Sequence, residues 1–263
     1  MKTANILKTL GTVAIAAALT LGTASASTIT YNFANQTGDT GGGMGNSLTY
    51  TFGGVTITET AWWLNTTSPV SGTTFQKAEV DAYNGYGVGV CNSSEGSACG
   101  SPAHQITNNN GIDFILLTFS TPVSLAGLTN DLSLLHYQDT ASGASNADIS
   151  YWTPSGLLTT STTYGSLSGG NNVNNGCSTA PCTVNDTITS GASITQLLIS
   201  AQVGGGGNDS FKLAGLTLNT VPSGGGTSST PEPSTMVLLG SALLAGVVFT
   251  RRRQNQTAHV ESR

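Results

Sequence analysis

The sequence is poor in charge, in aromatic side chains and in the residues that build helices. Only 8% of its 263 residues are charged and 6% are aromatic, whereas glycine occurs 34 times. Glu, Lys and Arg, which are good helix formers, are rare between residues 27 and 230. Long helices are therefore not expected in this region, where Ser, Thr, Asn and Gly supply most of the polarity.

Basic residues are almost absent from the same region. Lys77 and Lys212 are its only cations, and with eleven carboxylates they give a formal charge of −9. A surface of this sign repels phosphate backbones, so we exclude nucleic acid as a partner. We interpret the carboxylates as a solvated acidic surface, and attraction of cations such as Ca²⁺ is the alternative.

The common catalytic motifs are also missing. The region has no Gly-x-Ser-x-Gly turn, no His-Glu-x-x-His pair and no glycine-rich phosphate loop, so we expect no enzymatic activity. His104 lies in a loop sequence, and His136 belongs to an alternating stretch that predicts a strand residue facing solvent. The remaining hydrolase hypothesis is a glycosidase that uses two carboxylates from among Glu59, Glu79 and Asp81.

Alternation of apolar and polar residues predicts many short β-strands. The predicted strands cover residues 28–33, 47–52, 55–62, 78–83, 87–91, 114–119, 123–128, 132–137, 147–152, 157–163, 183–187, 194–201 and 211–218. Clusters of Gly, Asn and Ser between them mark turns. Because no helical period separates the strands, we predict an all-β fold whose body, residues 27–221, is an antiparallel β-sandwich or jelly roll.

The first 26 residues have the order of a signal peptide. Lys2 and Lys8 precede an apolar stretch at 10–21, and Ala24 and Ala26 form the small-x-small pattern that signal peptidase cleaves. We predict cleavage after Ala26 and export of the mature protein across the inner membrane.

Three features follow one another between residues 231 and 253. The motif Pro231-Glu232-Pro233 precedes an uncharged apolar run at 235–250, and Arg251-Arg252-Arg253 comes directly after it. The arginines favour the cytoplasmic side of a membrane, which leaves the body outside. The run is shorter than the roughly 20 residues of a stable span, which suits a helix that is later cut off. A plain tail anchor is the alternative.

Together these features resemble the sorting domain of PEP-CTERM proteins, surface proteins of Gram-negative bacteria whose tails are processed by the membrane protease exosortase. The resemblance implies a sorting signal at 231–253 with a transmembrane helix, a polar cytoplasmic tail at 254–263 and cleavage near Pro231. Residues 222–230, rich in Gly, Ser and Thr, read as a linker. From the usual setting of this family we expect a structural or adhesive role at the cell surface, in an exopolysaccharide or biofilm matrix.

Four cysteines occur in the predicted body, and an exported protein meets an oxidising environment. Their spacing favours the pairs Cys91–Cys99 and Cys177–Cys182, each of which closes a short loop. The alternative is a zinc site with His104 as a further ligand, although the spacing lacks the usual Cys-x₂₋₄-Cys pairs.

Two further sites are suggested by residue type. Trp62 and Trp63 are adjacent on a predicted strand and so point to opposite faces, which would leave one indole exposed for stacking on a sugar ring. They are the candidate glycan-binding residues of the alternative function, a carbohydrate-binding module acting on matrix polysaccharide; burial of both in the core is the competing interpretation. Oxygen-bearing side chains at 108–113 suggest structural calcium with Asp113 as the first ligand, or a simple Asx turn.

Overall fold

A computed structural model describes residues 26–36, 42–95, 103–138, 146–167, 170–175, 177, 179–190, 193–204 and 208–221. They form strands and short 3-10 turns without any α-helix, which confirms the all-β prediction. The strands are β1 (Thr28–Asn32), β2 (Ser47–Phe52), β3 (Val55–Leu64), β4 (Gln76–Lys77), β5 (Glu79–Tyr83), β6 (Gly87–Cys91), β7 (Ile106–Thr107), β8 (Ile112–Ser124), β9 (Leu132–His136), β10 (Ile149–Trp152), β11 (Asn171–Val173), β12 (Cys182–Asp186), β13 (Ser193–Ala201) and β14 (Ser210–Thr220). Signal residues 1–25, the linker and the sorting segment lie outside the described residues.

Two long strands organise the sheet, and all named strand pairs are antiparallel. β8 pairs with β3 along one edge and with β13 along the other, and β2 and β10 continue the sheet beyond them. β14 pairs with β1, β6, β7 and β9. The ends of β8 and β14 also pair, with Asn219 opposite Ser124, so one hydrogen-bonded network includes both groups of strands.

Strand alternation divides the apolar residues between two clusters. Ile115 and Leu117 of β8 share the main core with Leu213 and Leu216 of β14, so both groups of strands contribute to it. The intervening Phe114 lies in a second cluster on the other face of β8. That cluster contains Trp62, Leu64, Phe75, Ile112, Phe114, Leu116, Trp152, Leu158 and Leu198. Side chains of consecutive strand residues point to opposite faces, which explains the division.

One predicted strand is wrong, and a second is wrong over most of its length. Residues 157–163 are a loop closed by local hydrogen bonds, since the Thr162 amide donates to the Thr159 carbonyl at 2.9 Å. Leu158 is buried in the second cluster, whereas its neighbour Leu157 is 76% exposed. β8 contains the predicted strand at 114–119 and only the first two residues of the one predicted at 123–128, since residues 125–128 form a turn.

Candidate functional site

A polar cleft of about 200 Å³ opens where the loops before β7 and β8 meet the first residue of β14. It is lined by Glu95, Ala103, His104, Gln105, Thr107, Asn109, Asn110, Gln138 and Ser210. Glu95 Oε2 and His104 Nδ1 are 3.5 Å apart, and their side chains are 15% and 14% exposed. The cleft therefore presents one carboxylate–imidazole pair among amide and hydroxyl groups.

Asn92 forms hydrogen bonds to two carboxylates, that of Glu95, which lines the cleft, and that of the buried Asp113. It precedes the 3-10 turn Ser93–Glu95, its backbone amide donates to Glu95 Oε2 at 3.0 Å, and its side-chain amide donates to Asp113 Oδ1 at 2.8 Å. The amide of Thr107 donates to Asp113 Oδ2 at 3.2 Å. Burial, followed by the nearby charge of Glu95, raises the pKa of Asp113 well above its usual range.

The structure divides the residues expected around calcium between two hydrogen-bond networks. Both oxygens of Asp113 accept hydrogen bonds from protein amides. The side chain of Asn108 turns away and donates to Asp209 Oδ2 at 2.7 Å and to the Gln202 carbonyl at 2.9 Å. The turn at 108–113 therefore does not gather Asn108 and Asp113 around a common point.

Cys91 brings sulfur close to the carboxylate–imidazole pair. Its Sγ, a Glu95 oxygen and a ring nitrogen of His104 lie within 4.8 Å of one another, the one such group of three potential metal ligands among the described residues. Cys91 is itself a disulfide cysteine. Its predicted partner Cys99 lies outside the described residues, so that pairing stays a prediction.

The second predicted disulfide, between Cys177 and Cys182, is confirmed. It links the residue before a short turn to the first residue of β12, and five positions separate the two cysteines. The bridge therefore attaches Cys177, in the loop before β12, to the start of that strand.

Lys212 lies beneath the same loops and was missed by sequence reasoning. Its side chain is fully buried, its Nζ donates to the carbonyl of His104, and it lies 3.8 Å from the centre of the Tyr83 ring. Tyr83 Oη donates in turn to Asp81 Oδ2 at 3.2 Å. Burial lowers the pKa of Lys212 to about 7, although the charge of Asp81 opposes the shift. Lys212 alternates with Phe211 and Leu213, so the pattern predicts an outward position, which the loop at His104 and Tyr83 of β5 cover together.

The expectation of a solvated acidic surface is wrong. Eight of the eleven carboxylates are buried, namely Glu59, Glu79, Asp81, Asp113, Asp131, Asp148, Asp186 and Asp209. His136 is buried as well, and its Nδ1 lies 2.7 Å from the Ser210 carbonyl, which corrects the prediction that it faces solvent. Five of the eight carboxylates lie on the strands β3, β5, β8 and β12, and the other three lie outside the named strands, so the fold buries them in both settings.

The two tryptophans lie on opposite faces, as predicted, but neither is exposed. Trp63 belongs to the main core and is 3% exposed, while Trp62 packs in the second cluster and is 8% exposed. The expectation of an exposed indole at this position is therefore wrong, because the outer face of β3 is covered by Phe75 and its loop.

Comparison with known proteins concerns the carboxyl-terminal segment, which lies outside the described residues. The family model of the PEP-CTERM protein-sorting motif matches residues 229–253. The chain carries a PEP-CTERM sorting motif. The match includes the Pro-Glu-Pro, the apolar run and the three arginines, so the predicted resemblance is confirmed. The PEP-CTERM motif implies an exported, membrane-anchored precursor that an exosortase processes.

The comparisons give no relative for the body of this PEP-CTERM protein. No curated protein and no solved structure matches the chain. Among the described residues, no helix has the length and apolar character of a membrane span. The sorting motif thus indicates where the protein is delivered and gives no information on the activity of the body.

Proposed function

We propose that the protein is a non-enzymatic component of the cell surface or extracellular matrix of a Gram-negative bacterium, released from its anchor by exosortase and structural or adhesive in the exopolysaccharide. The observation that supports it is the PEP-CTERM motif, which follows a body of antiparallel strands grouped around β8 and β14. We take the body as a β-sandwich, since strands on β8 and strands on β14 share one core.

The ends of the described body suit this route. The Ser27 amide donates to Thr220 Oγ1 at 3.0 Å, and the Thr220 amide donates to the Ser27 carbonyl at 2.9 Å. The predicted signal-peptide junction and the start of the linker therefore lie side by side. Both membrane-directed segments leave the body from the same end.

Processing is tested by the mass and the location of the mature protein. Cells with and without the candidate exosortase are fractionated into membrane, surface matrix and medium. We expect a chain that begins at Ser27 and ends near Pro231, found in matrix or medium only when the protease is present. An intact carboxyl terminus that stays in the membrane in both strains would instead indicate an ordinary tail anchor.

A carbohydrate-binding module is the second candidate, and one cleft favours it. Trp152 and the hydroxyls of Thr153, Ser155, Thr162 and Ser166 line an opening of about 290 Å³ beside the second cluster. Trp152 is 4% exposed, so a sugar ring in this opening would be held mainly by hydrogen bonds to the hydroxyl groups and not by stacking on the indole. Affinity electrophoresis of the released protein in matrix polysaccharide tests this, with Ser155→Arg to fill the cleft and Ser68→Arg at an exposed loop position as the control. Equal retardation by the polysaccharide, measured for each protein against a gel without polysaccharide, in both variants and the parent would reject the site.

The glycosidase hypothesis receives no comparable support. Of its three carboxylates, Glu59 bonds to Gln36 at 3.3 Å, and Glu79 and Asp81 lie buried on β5. None of the three lines either cleft described above.

A further inference from the structure

The ligand group beside the polar cleft has the chemistry and spacing of a zinc site. Zinc binds sulfur, imidazole nitrogen and carboxylate oxygen, and two nitrogen or oxygen ligands at about 2.1 Å from a tetrahedral ion stand roughly 3.4 Å apart. The observed separation of His104 Nδ1 and Glu95 Oε2 is 3.5 Å. Cys91 Sγ lies within 4.8 Å of both residues' ligand atoms, and sulfur and nitrogen ligands of one tetrahedral zinc ion stand roughly 3.6 Å apart, so binding requires side-chain rotations that shorten this separation.

Two of the three ligand residues face the cleft, which leaves space there for a fourth ligand of a bound ion. Glu95 and His104 line the cleft, whereas Cys91 is fully buried behind them. Asp113 is not part of this group of ligand atoms, and both of its oxygens accept hydrogen bonds from Asn92 and Thr107. Glu95 Oε2 accepts a hydrogen bond from the Asn92 amide, and a carboxylate oxygen has a second lone pair for a metal ion. Three protein ligands with the fourth position facing a cleft is the arrangement in which water completes a zinc sphere.

Cys91 controls whether this site exists, because a disulfide sulfur is not a thiolate ligand. We propose that reduction of the Cys91 disulfide creates a zinc site formed by Cys91 Sγ, the Glu95 carboxylate and a ring nitrogen of His104, and that re-oxidation closes it. Reduction by a phosphine and one water breaks the S–S bond, yields two thiols and leaves the phosphine oxide. Zinc then displaces the proton of the Cys91 thiol. This inference concerns the body alone and is independent of the sorting route.

The test isolates the Cys91 disulfide. Cys177→Ser/Cys182→Ser removes the other bridge, and the full chain is purified in detergent in an oxidised form and in a phosphine-reduced form desalted under nitrogen. Both are titrated with Zn²⁺ against a chromophoric chelator. We expect one equivalent of zinc in the reduced form, bound roughly 100-fold more tightly than in the oxidised form. Cobalt in place of zinc should show thiolate-to-metal charge-transfer absorption.

Ligand variants separate this site from nonspecific binding. His104→Ala and Glu95→Gln should each weaken zinc binding by the reduced protein at least roughly 10-fold, whereas Asn109→Ala, which lines the same cleft, should not. Near-UV circular dichroism follows the fold of each form. Equal affinity in the two redox forms, unchanged binding by His104→Ala and Glu95→Gln, or loss of the fold on reduction would each overturn the proposal.

Discussion

Glu59 is the clearest case of a charge-bearing group placed in the core. It lies on the inward-facing side of β3 with Ile57 and Ala61, and it is fully buried. Its Oε2 accepts a hydrogen bond from the Gln36 amide at 3.3 Å, while Oε1 has no partner among the described residues. Burial raises the pKa of Glu59 from 4.5 to about 8, although the Gln36 hydrogen bond opposes the shift.

Glu59 should make the protein more stable in mild acid than at neutral pH. The folded state holds a proton on Glu59 that the unfolded state loses above pH 4.5, so the free energy of unfolding falls as pH rises from 4.5 to about 8. The full effect is on the order of 5 kcal/mol, from about 1.4 kcal/mol per tenfold change in proton affinity. Glu59→Gln should match the parent near pH 4.5 and exceed its stability at pH 8.

Denaturant unfolding at several pH values measures this difference. Thr58→Val is the control, because it lies next to Glu59 on the opposite side of β3 and has no titratable group. Its effect on the free energy of unfolding should be the same at every pH. A Glu59→Gln difference that does not grow with pH would show that Glu59 is ionised in the folded protein.

The position of a residue within the alternating pattern predicts its burial better than its residue type does. The stretch Val55–Leu64 alternates Thr with Val, Ile, Glu and Ala, so Glu59 falls on the apolar side of the strand. Its burial was predictable from that phase. The burial of Lys212 was not, because it depends on the loop at His104 and on Tyr83 of β5, both of which are distant in the sequence.

Among the elements, β8 shows how a proline sits within a long strand. The predicted strands at 114–119 and 123–128 lie on either side of Pro122, but β8 runs through this proline to Ser124. The partner strand β13 shifts register between Ile194 and Gln196, opposite this part of β8. A bulge leaves backbone groups outside the regular ladder, which is where a strand accommodates a residue without an amide hydrogen.

The turn before β8 depends on Gly111. Its φ is +117°, and a Cβ built there would lie 2.6 Å from the Leu64 carbonyl oxygen and 2.9 Å from the Trp63 ring. Gly111→Ala should therefore lower the free energy of unfolding by about 1–3 kcal/mol, since both backbone strain and a clash oppose the new methyl group. Gly72→Ala is the matched control, because a Cβ there meets no atom within 4 Å. Equal stability of the two variants in urea unfolding would contradict this account of the turn.

The Cys177–Cys182 bridge should contribute only modestly to stability. It closes a loop with a sequence separation of five, and the chain-entropy model gives about 2 kcal/mol for a loop of that size. Cys177→Ser/Cys182→Ser should therefore fold and unfold in one cooperative transition at a somewhat lower denaturant concentration. A loss above roughly 4 kcal/mol, or no folding, would show that the bridge holds more than one loop end.

Across the whole molecule, β14 extends from the polar cleft to the end of the body where Ser27 lies. Ser210, its first residue, lines the polar cleft, and Thr220, its last, bonds to Ser27 beside the start of the linker. Eleven residues at about 3.4 Å each span roughly 35 Å. With the tail in the membrane, the body therefore displays the cleft far from the end at which it is attached.

The sorting segment, most of the strands and their antiparallel arrangement were predictable from the sequence, whereas the pairing of strands distant in the chain was not. The sorting segment is recognisable because its three parts are contiguous in the chain, and alternation locates strands such as β2 and β6. Pairing between β1 and β14 joins residues about 190 positions apart. No local pattern specifies such a partner, nor the loops that bury Lys212 and form the cleft.

Because the two ends of the body lie side by side, we expect exosortase processing to depend on the length of the predicted linker. Residues 222–230 number nine, and a flexible chain of that length has an r.m.s. span of roughly 16 Å. Deleting 223–229 should bring the folded end at Thr220 against the membrane surface and slow exosortase cleavage several-fold, while a shuffled linker of the same length should be cut at the parent rate. Pulse-chase labelling with mass analysis follows the conversion of precursor to mature chain. Because the family match begins at residue 229, a second deletion of 223–228 keeps the matched segment intact, and normal cleavage of that variant would mean that the protease reaches its site without any separation between body and membrane.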